Sequence, residues 1–169
     1  MREMSPTDWA VRPLRQFGTF TGRAPRAEYW WFALATSIVG ALIALLDLKL
    51  GTPRFGSYGV LRLAWLLLLA IPTLAVTVRR LHDTNSSGYW ALARVAGYLF
   101  LVPALSPRHL GAAYEGMSGW LIAVGIVSMI GWACVEISLF VLMVTPGTIG
   151  RNDYGPDPYG PDALEEVFA

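Results

Sequence analysis

The chain has 169 residues, of which 54% are hydrophobic and only 15% are charged. Soluble domains carry about 25% charged residues, so this composition excludes an ordinary water-soluble enzyme domain and a disordered chain and leaves a small integral membrane protein. The 13 Lys and Arg residues nearly balance the 12 Asp and Glu residues, and therefore no overall basic field favours nucleic acid as a partner.

Residues 1–28 form a polar N-terminal segment. They contain five arginines and no apolar core, and Pro6, Asp8, Pro13, Gly18 and Gly22 interrupt them. A cleavable signal peptide needs an apolar core of 7–15 residues, so none is expected here. The first apolar segment is predicted to be an uncleaved membrane anchor.

Four apolar segments follow, and each is tested against the thickness of a membrane. Crossing about 30 Å of hydrocarbon at about 1.5 Å per residue takes about 20 helical residues. The third segment fits least well because it carries Arg94 and Pro103, and Pro72 is expected to kink the second. The segments span residues 29–46, 63–78, 89–105 and 120–144.

The fourth segment contains a carboxylate, Glu136, so the free energy that its apolar residues gain on insertion must exceed the cost of inserting one charge. Its thirteen Leu, Ile, Val and Phe residues contribute roughly −4 to −8 kcal/mol in sum, against about +3 kcal/mol for one central charge. Insertion is therefore favoured. The sequence predicts an all-α integral membrane protein with four transmembrane helices.

The orientation follows from the distribution of Lys and Arg, which are retained on the cytoplasmic side. With both termini inside, eight arginines lie inside and four basic residues outside, which favours this orientation. The inner residues are Arg2, Arg12, Arg15, Arg23, Arg26, Arg79, Arg80 and Arg151, and the outer residues are Lys49, Arg54, Arg62 and Arg108.

The chain is interpreted as a single membrane domain. Residues 1–28 are a cytoplasmic segment, 29–144 a helical membrane core, and 145–169 an acidic, Gly- and Pro-rich cytoplasmic tail. Residues 48–59 and 106–118 are predicted outer loops. Small residues at Ala33, Ser37 and Ala41, and a shorter stripe at residues 125–131, either let membrane helices approach closely or reflect chance in Ala-rich segments.

Three polar motifs are placed on the inner face by this topology, and the second is predicted to be the loop that joins the second and third helices. They read F-T-G-R-A-P-R-A-E-Y-W at residues 20–30, R-R-L-H-D-T-N-S-S-G-Y-W at 79–90 and P-G-T-I-G-R-N-D-Y-G-P-D-P at 146–158. In this order they resemble the bacterial inner-membrane family known as domain of unknown function 805, the YhaH-type proteins. The resemblance covers about residues 17–158 and implies an inner-membrane location with no established biochemical activity. Asp153 departs from the family pattern, which has Arg there.

The inner motifs supply the candidate polar site. Arginine pairs readily with carboxylate or phosphate, so the cluster is interpreted either as a structural clasp between loops and helix ends or as a site for an anionic lipid headgroup. Catalysis is not expected, because His82 beside Asp83 lacks the spacing of a catalytic relay. The candidate residues are Arg23, Arg26, Glu28, Arg79, Arg80, His82, Asp83, Asn152 and Asp157.

Two further charges fall inside the hydrocarbon. Arg94 lies about 9 Å and Glu136 about 12 Å from the inner helix ends, counted at about 1.5 Å per residue. An unpaired charge at that depth is costly, so an ion pair between the third and fourth helices is predicted. The functional alternative is a proton or ion pathway through the same residues. A further structural alternative is that the Arg94 side chain extends to the membrane interface without pairing.

Function is therefore expected to be non-enzymatic. The leading hypothesis is an inner-membrane interaction or assembly protein that engages anionic lipid headgroups, another membrane protein or a second copy through its cytoplasmic face. The alternative is a small transporter or channel component built around Arg94 and Glu136. No cofactor and no metal site are expected, since the lone Cys134 and two distant histidines offer no ligand cluster.

Overall fold

A computed structural model describes residues 4–55, 58–104 and 119–160, and these residues are mostly helical. Three of the helices are long and apolar enough to cross a membrane: α2, α3 and the Ala123–Val144 part of α5. The elements are α1 Pro6–Arg15, α2 Arg26–Leu50, β1 Arg54–Phe55, β2 Tyr58–Gly59, α3 Val60–Asp83, α4 Tyr89–Ala104 and α5 Gly119–Val144.

The apolar segments become the long helices, with longer bounds than predicted. The first and second predicted segments, 29–46 and 63–78, sit inside α2 and α3, and the fourth coincides with α5 to within one residue. The 16 residues of α4 reach about 24 Å, less than the hydrocarbon thickness. Residue 105 of the third segment, the predicted loop 106–118, Arg2 and the acidic end of the tail lie outside the described residues.

Helix α1 was not expected in the polar N-terminal segment. It starts with a capping box, in which the Ser5 Oγ accepts from the Asp8 N–H at 3.2 Å and the Asp8 carboxylate accepts from the Ser5 N–H at 3.1 Å. Pro6 occupies the first helical position, where its missing N–H costs nothing. These signals are present in the sequence, but hydropathy does not detect this helix because its segment is polar.

The first five residues of the central polar motif are helical rather than part of a loop. Helix α3 contains Pro72 and continues without a break through Arg79 to Asp83, so the connection to α4 is only residues 84–88. The chain turns at Asn85, which has a positive φ of 54°. The predicted loop 48–59 is also shortened, because α2 extends to Leu50 and is ended by Gly51 in the left-handed conformation.

Asp47 joins α2 to the start of α3. Its Oδ2 accepts from the Arg62 N–H at 2.8 Å and its Oδ1 from the Leu61 N–H at 3.2 Å, so it satisfies two of the free N–H groups in the first turn of α3. Gly59 leaves room for this carboxylate, because a Cβ there would lie 2.2 Å from the Asp47 Cγ. This contact fixes the end of the bundle that lies opposite the motifs.

The apolar core consists of two clusters that share α3. In the first, Phe32 of α2 packs with Leu69 and Val76 of α3, and in the second, Leu81 of α3 packs with Ala91 of α4 and Leu139 of α5. Leucines on the outer helix faces remain largely exposed, which is typical of side chains that face lipid.

Small residues permit close packing at two places. The ideal Cβ of Gly40 would lie 3.2 Å from the Trp65 Nε1, so α2 and α3 approach closely there. The ideal Cβ of Gly97 would lie 2.0 Å from the Trp132 ring, which brings α4 against α5. The stripe at Gly125 and Gly131 has no such role within the described residues, since a Cβ at either position meets nothing within 4 Å.

Candidate functional site

The three polar motifs meet at one end of the helices, called here the polar end. It comprises the connection from α1 to α2, the last turn of α3, the end of α5 and residues 145–160. Backbone hydrogen bonds join these parts: the Ala24 N–H donates to the Arg79 carbonyl at 2.9 Å, and the Thr148 N–H donates to the Asp83 carbonyl at 2.9 Å. Segments far apart in sequence are therefore fixed against the same helix end.

Two consecutive arginines of α3 point to different neighbours. Successive residues of an α-helix are about 100° apart around its axis, so Arg79 and Arg80 cannot face the same way. Arg79 reaches Gln16 of the α1 end and Glu28 of α2, whereas Arg80 reaches the carbonyls at the end of α5. The repeated arginine thus supplies two separate clusters.

The first cluster is the N-terminal clasp, made of Arg12, Gln16, Glu28 and Arg79. The Arg79 Nη1 lies 2.7 Å from the Glu28 Oε1 and donates to the Gln16 Oε1 at 2.5 Å, while the Arg12 Nε lies 3.5 Å from the Glu28 Oε2. Glu28 is fully buried, with 0% of its surface exposed. Burial of a charge requires a compensating charge, and two arginines provide it here.

The second cluster is the tail clasp, centred on Asp83 between Arg23 and Arg80. The Arg23 Nε and Nη2 lie 3.0 and 2.9 Å from the Asp83 Oδ1, and the Arg80 Nη1 donates to the Asp83 Oδ2. The Arg23 Nη1 also donates to the Gly150 carbonyl at 2.6 Å. Gly147 is required beside this group, because a Cβ there would lie 2.2 Å from the Asp83 Oδ2.

Arg80 completes the tail clasp from the other side. It is fully buried, and its Nε donates to the Met143 carbonyl at 3.3 Å while its Nη2 donates to the carbonyls of Leu142 and Thr145. The last carbonyls of a helix have no partner within the helix. Arg80 therefore caps α5 and at the same time neutralises Asp83.

His82 belongs to neither clasp. Its Nδ1 is 3.2 Å from the Gly22 carbonyl, and its ring is stacked on Tyr154 with centroids 3.9 Å apart and planes 5° from parallel. Its own carbonyl accepts from the Asn152 Nδ2 at 2.8 Å. Gly22 has a φ of +82°, which a glycine adopts without strain.

Arg26 and Asp157 lie at the surface of the polar end. Arg26 is exposed, and its Nη1 donates to the Val144 carbonyl at 3.3 Å. Asp157 accepts from the N–H groups of Tyr159 and Gly150, both at 2.9 Å, and these bonds hold the pKa of its carboxyl below the usual range. The two residues help to line a pocket of about 260 Å³ beside Arg23 and Thr148.

The polar end carries an excess of positive charge. Five arginines face three carboxylates in the two clasps and the Arg26 pocket, so two positive charges are unbalanced. All five arginines have partners within the chain, and Arg26 is the one that is exposed. The arginines are Arg12, Arg23, Arg26, Arg79 and Arg80, and the carboxylates are Glu28, Asp83 and Asp157.

The structure thus brings all nine candidate residues to the polar end but divides their roles. Arg23, Glu28, Arg79, Arg80 and Asp83 are the buried members of the clasps. The sequence search missed Arg12 and Gln16, whose part depends on the unexpected helix α1, and the main-chain carbonyls of the tail, which no side-chain motif reveals.

Arg94 and Glu136 are in contact between α4 and α5. The Arg94 Nε lies 3.1 Å from both carboxylate oxygens, and its Nη2 lies 2.9 Å from Oε2. The ion pair remains partly accessible, since 28% of the Arg94 side chain and 21% of the Glu136 side chain are exposed.

A groove runs along α3 between α2 and α4, with a volume of about 600 Å³. One side of α3 lines it from Arg62 to Thr77, a length of about 22 Å at about 1.5 Å per residue. Hydroxyl residues of α2, among them Thr36 and Ser37, line the opposite wall, and Arg94 lies toward its polar end.

Comparison with known proteins gives consistent results. The family described as "Protein of unknown function (DUF805)" matches residues 17–112. The chain is 36% identical to "Inner membrane protein YhaH" of Escherichia coli strain K12, over 89% of this chain and 96% of that protein. It is 37% identical to "Inner membrane protein YhaI" of the same strain, over 89% of this chain and 94% of that protein. No solved structure matches.

Proposed function

The chain belongs to the DUF805 family and is a multi-pass inner-membrane protein, and from this premise we propose that it is a non-enzymatic interaction or assembly protein. Its polar end binds the phosphate of an anionic lipid headgroup through Arg26. One observation carries the proposal: among the five arginines grouped there, Arg26 alone is exposed, and it opens into a pocket.

The chemistry of the pocket favours phosphate. A guanidinium has five N–H donors, and Arg26 spends one of them on the Val144 carbonyl. Arg23, Arg26 and Arg80 outnumber the carboxylates around the pocket, Asp83 and Asp157, by one, and this positive charge attracts an anion. Each basic residue near a membrane surface contributes about 1 kcal/mol to binding of anionic lipid. The clasps contribute by holding Arg23 and the loop at residues 146–150 in fixed positions around the pocket.

The proposed topology has four crossings with both termini in the cytoplasm. Helices α3 and α5 both end at the polar end, and α4 starts there, since a Cβ on Gly88 would lie 2.7 Å from Val78. The chain must therefore return across the bundle between residues 84 and 119. The excess of arginine at the polar end supports its placement on the cytoplasmic side.

The headgroup site is tested by native mass spectrometry of the full chain with short-chain phosphatidylglycerol. Arg26→Gln is expected to weaken binding about fivefold, the equivalent of about 1 kcal/mol. Arg15→Gln is the matched control, because Arg15 is also an exposed arginine but does not line the pocket. If the two variants lose lipid binding equally, the effect is one of general surface charge and the proposed site is wrong. If a polypeptide co-purifies with the wild type and is lost only from Arg26→Gln, the ligand of the site is a protein.

The topology is tested by fusions after Ala169. A fluorescent protein that folds only in the cytoplasm is expected to be bright there, and alkaline phosphatase, which is active only outside, is expected to be inactive. Active phosphatase at this position would place the tail outside and remove one crossing.

A transporter component is the second candidate, and the groove along α3 favours it. The groove extends over much of the membrane thickness and contains Arg94. In proteoliposomes, a pathway through the pair predicts a proton or ion flux that Glu136→Gln abolishes. A flux equal to that of protein-free vesicles would exclude this function for the chain on its own.

A further inference from the structure

A second pocket lies at the polar end, separate from the Arg26 pocket. Its volume is about 370 Å³, and four aromatic rings form its rim: Phe20, His82, Tyr89 and Tyr154. Each of the three sequence motifs contributes to this rim: the first through Phe20, the second through His82 and Tyr89, and the third through Tyr154. The clasps do not use these rings, so the pocket is a feature that the structural role of the motifs leaves unexplained.

The floor of the pocket is aliphatic. Leu74 and Val78 of α3 and Leu92 of α4 form it, one to two helical turns below the rim. His82 is next to the last residue of α3, and Tyr89 is the first residue of α4. The pocket thus extends from the helix ends into the apolar part of the bundle, which is the depth at which a phospholipid changes from headgroup to chain.

His82 presents an acceptor to this pocket. The Gly22 carbonyl can only accept, so the Nδ1 of His82 carries the proton of that 3.2 Å hydrogen bond, and the neutral ring has its lone pair on Nε2. Within the described residues no side chain or main-chain group donates to Nε2. Nε2 lies beside Gly88, another residue of the lining, since a Cβ there would lie 3.2 Å from Nε2.

Apart from the neutral ring of His82, the lining has neither an acidic nor a basic side chain, and this selects the ligand. A phosphate finds no cation here, in contrast to the Arg26 pocket. A primary ammonium is attracted to aromatic faces and can donate an N–H to the free Nε2. The hydroxyl of Ser87, which also lines the pocket, is a second acceptor within the same rim.

We propose that this pocket binds a phospholipid through the primary ammonium of its headgroup, with the ammonium within the aromatic rim and the start of an acyl chain on the aliphatic floor. Arg26 does not line this pocket, so the proposal does not depend on the phosphate site at Arg26. Cation–π contacts at partly exposed sites are weak individually, and the His82 acceptor adds the preference for an ammonium that carries hydrogens.

The test measures binding of three short-chain phospholipids with identical acyl chains to the full chain by native mass spectrometry. Phosphatidylethanolamine is expected to bind at least fivefold more tightly than phosphatidylcholine, which has the cation but no N–H, and more tightly than phosphatidylglycerol at the same pocket. Phe20→Leu and Tyr154→Leu are each expected to weaken the ethanolamine lipid three- to tenfold. Phe20 is partly exposed, so its replacement does not endanger the fold.

Matched variants separate this pocket from its surroundings. Tyr159→Leu removes an exposed aromatic ring of the polar end that does not line the pocket and is expected to leave ethanolamine-lipid binding unchanged. Arg26→Gln is expected to lower phosphatidylglycerol binding alone. His82→Phe retains a ring against Tyr154 and should abolish the preference for ethanolamine over choline. Equal affinity for the three lipids, or an ethanolamine preference that survives both Phe20→Leu and Tyr154→Leu, would overturn the proposal.

Discussion

Asp83 is the residue on which the tail clasp depends. One carboxylate neutralises Arg23 and Arg80, and all three side chains are buried. A buried ion pair contributes little net stability relative to an apolar replacement, but the loss of one partner leaves the other charge buried and uncompensated. Here the loss of one carboxylate affects two arginines.

Asp83→Asn is therefore expected to be the most damaging single change at the polar end. The free energy of unfolding should fall by about 3 to 5 kcal/mol, the usual cost of breaking a buried pair from one side. Thermal unfolding of the purified protein in mild detergent measures it. Asp153→Asn is the control, because Asp153 is exposed in the tail, and it should change the stability by less than about 0.5 kcal/mol. Equal effects of the two substitutions would contradict the clasp.

At this scale the sequence predicted which residues meet but not how they pair. Motif order and topology place Arg23, Arg80 and Asp83 on one face, and a clasp was one of the interpretations. The division of Arg79 from Arg80 depends on the helical phase at the end of α3, and that segment was predicted to be a loop. Main-chain carbonyls, which accept from Arg23 and Arg80, carry no signal in the amino-acid sequence.

At the scale of elements, α4 and α5 are joined by a close contact and an ion pair. Gly97 faces the Trp132 ring, and one turn closer to the polar end Arg94 meets Glu136. The two helices are therefore antiparallel, since the contacts run from residue 94 to 97 on α4 and from 136 to 132 on α5. The contact of Gly97 could not be predicted, because a glycine in an apolar helix has the same appearance whether or not a ring lies against it.

Gly97→Ala and Gly131→Ala form a matched pair of helix substitutions. Alanine at 97 would place a Cβ 2.0 Å from the Trp132 ring, so α4 and α5 must separate and the thermal stability in detergent should fall. Alanine at 131 meets nothing within 4 Å and should be neutral or slightly stabilising, since alanine favours helix over glycine by about 1 kcal/mol. A destabilised Gly131→Ala would indicate a contact that involves residues beyond those described.

The Arg94–Glu136 pair is tested by a double-mutant cycle. Arg94→Gln and Glu136→Gln are each expected to destabilise the protein, because each leaves one charge at membrane depth. The double variant should lose less than the sum of the two, with a coupling energy of about 0.5 to 3 kcal/mol. Additive losses in thermal or denaturant unfolding would mean that the contact contributes nothing to stability.

At the scale of the whole molecule, the two ends of the bundle are fixed by different means. Asp47 caps α3 at one end through two N–H groups, whereas charged clasps unite four separate segments at the other. Hydropathy predicted the three helices that are long and apolar enough to cross a membrane, because length and apolar content decide insertion. It could not predict the docking of the tail, since residues 145–160 have a composition that is equally typical of a solvated segment.

Docking of the tail is expected to depend on acid pH through Asp157. Hydrogen bonds from Tyr159 and Gly150 lower the pKa of this carboxyl in the folded state, so the docked tail is stabilised above the unfolded pKa of about 4. That contribution is lost as the pH falls from about 4 through the lower, folded pKa. The protection factors of residues 146–160 in hydrogen exchange, which correct for the intrinsic effect of pH on the exchange rate, should fall over this range in the wild type. In Asp157→Asn the exchange should be faster already at neutral pH and should not respond to Asp157 ionisation.

The burial of Arg80 also determines when, during synthesis of the chain, the tail clasp can form. Its partner carbonyl on Thr145 is 65 residues further along the chain, so it leaves the ribosome roughly 3 to 13 s later at about 5 to 20 residues per second. During that interval the end of α3 carries a guanidinium for which the chain has not yet supplied all its acceptors. Water or lipid phosphate must solvate it until then, and the nascent protein reaches its final form only when its last helix arrives.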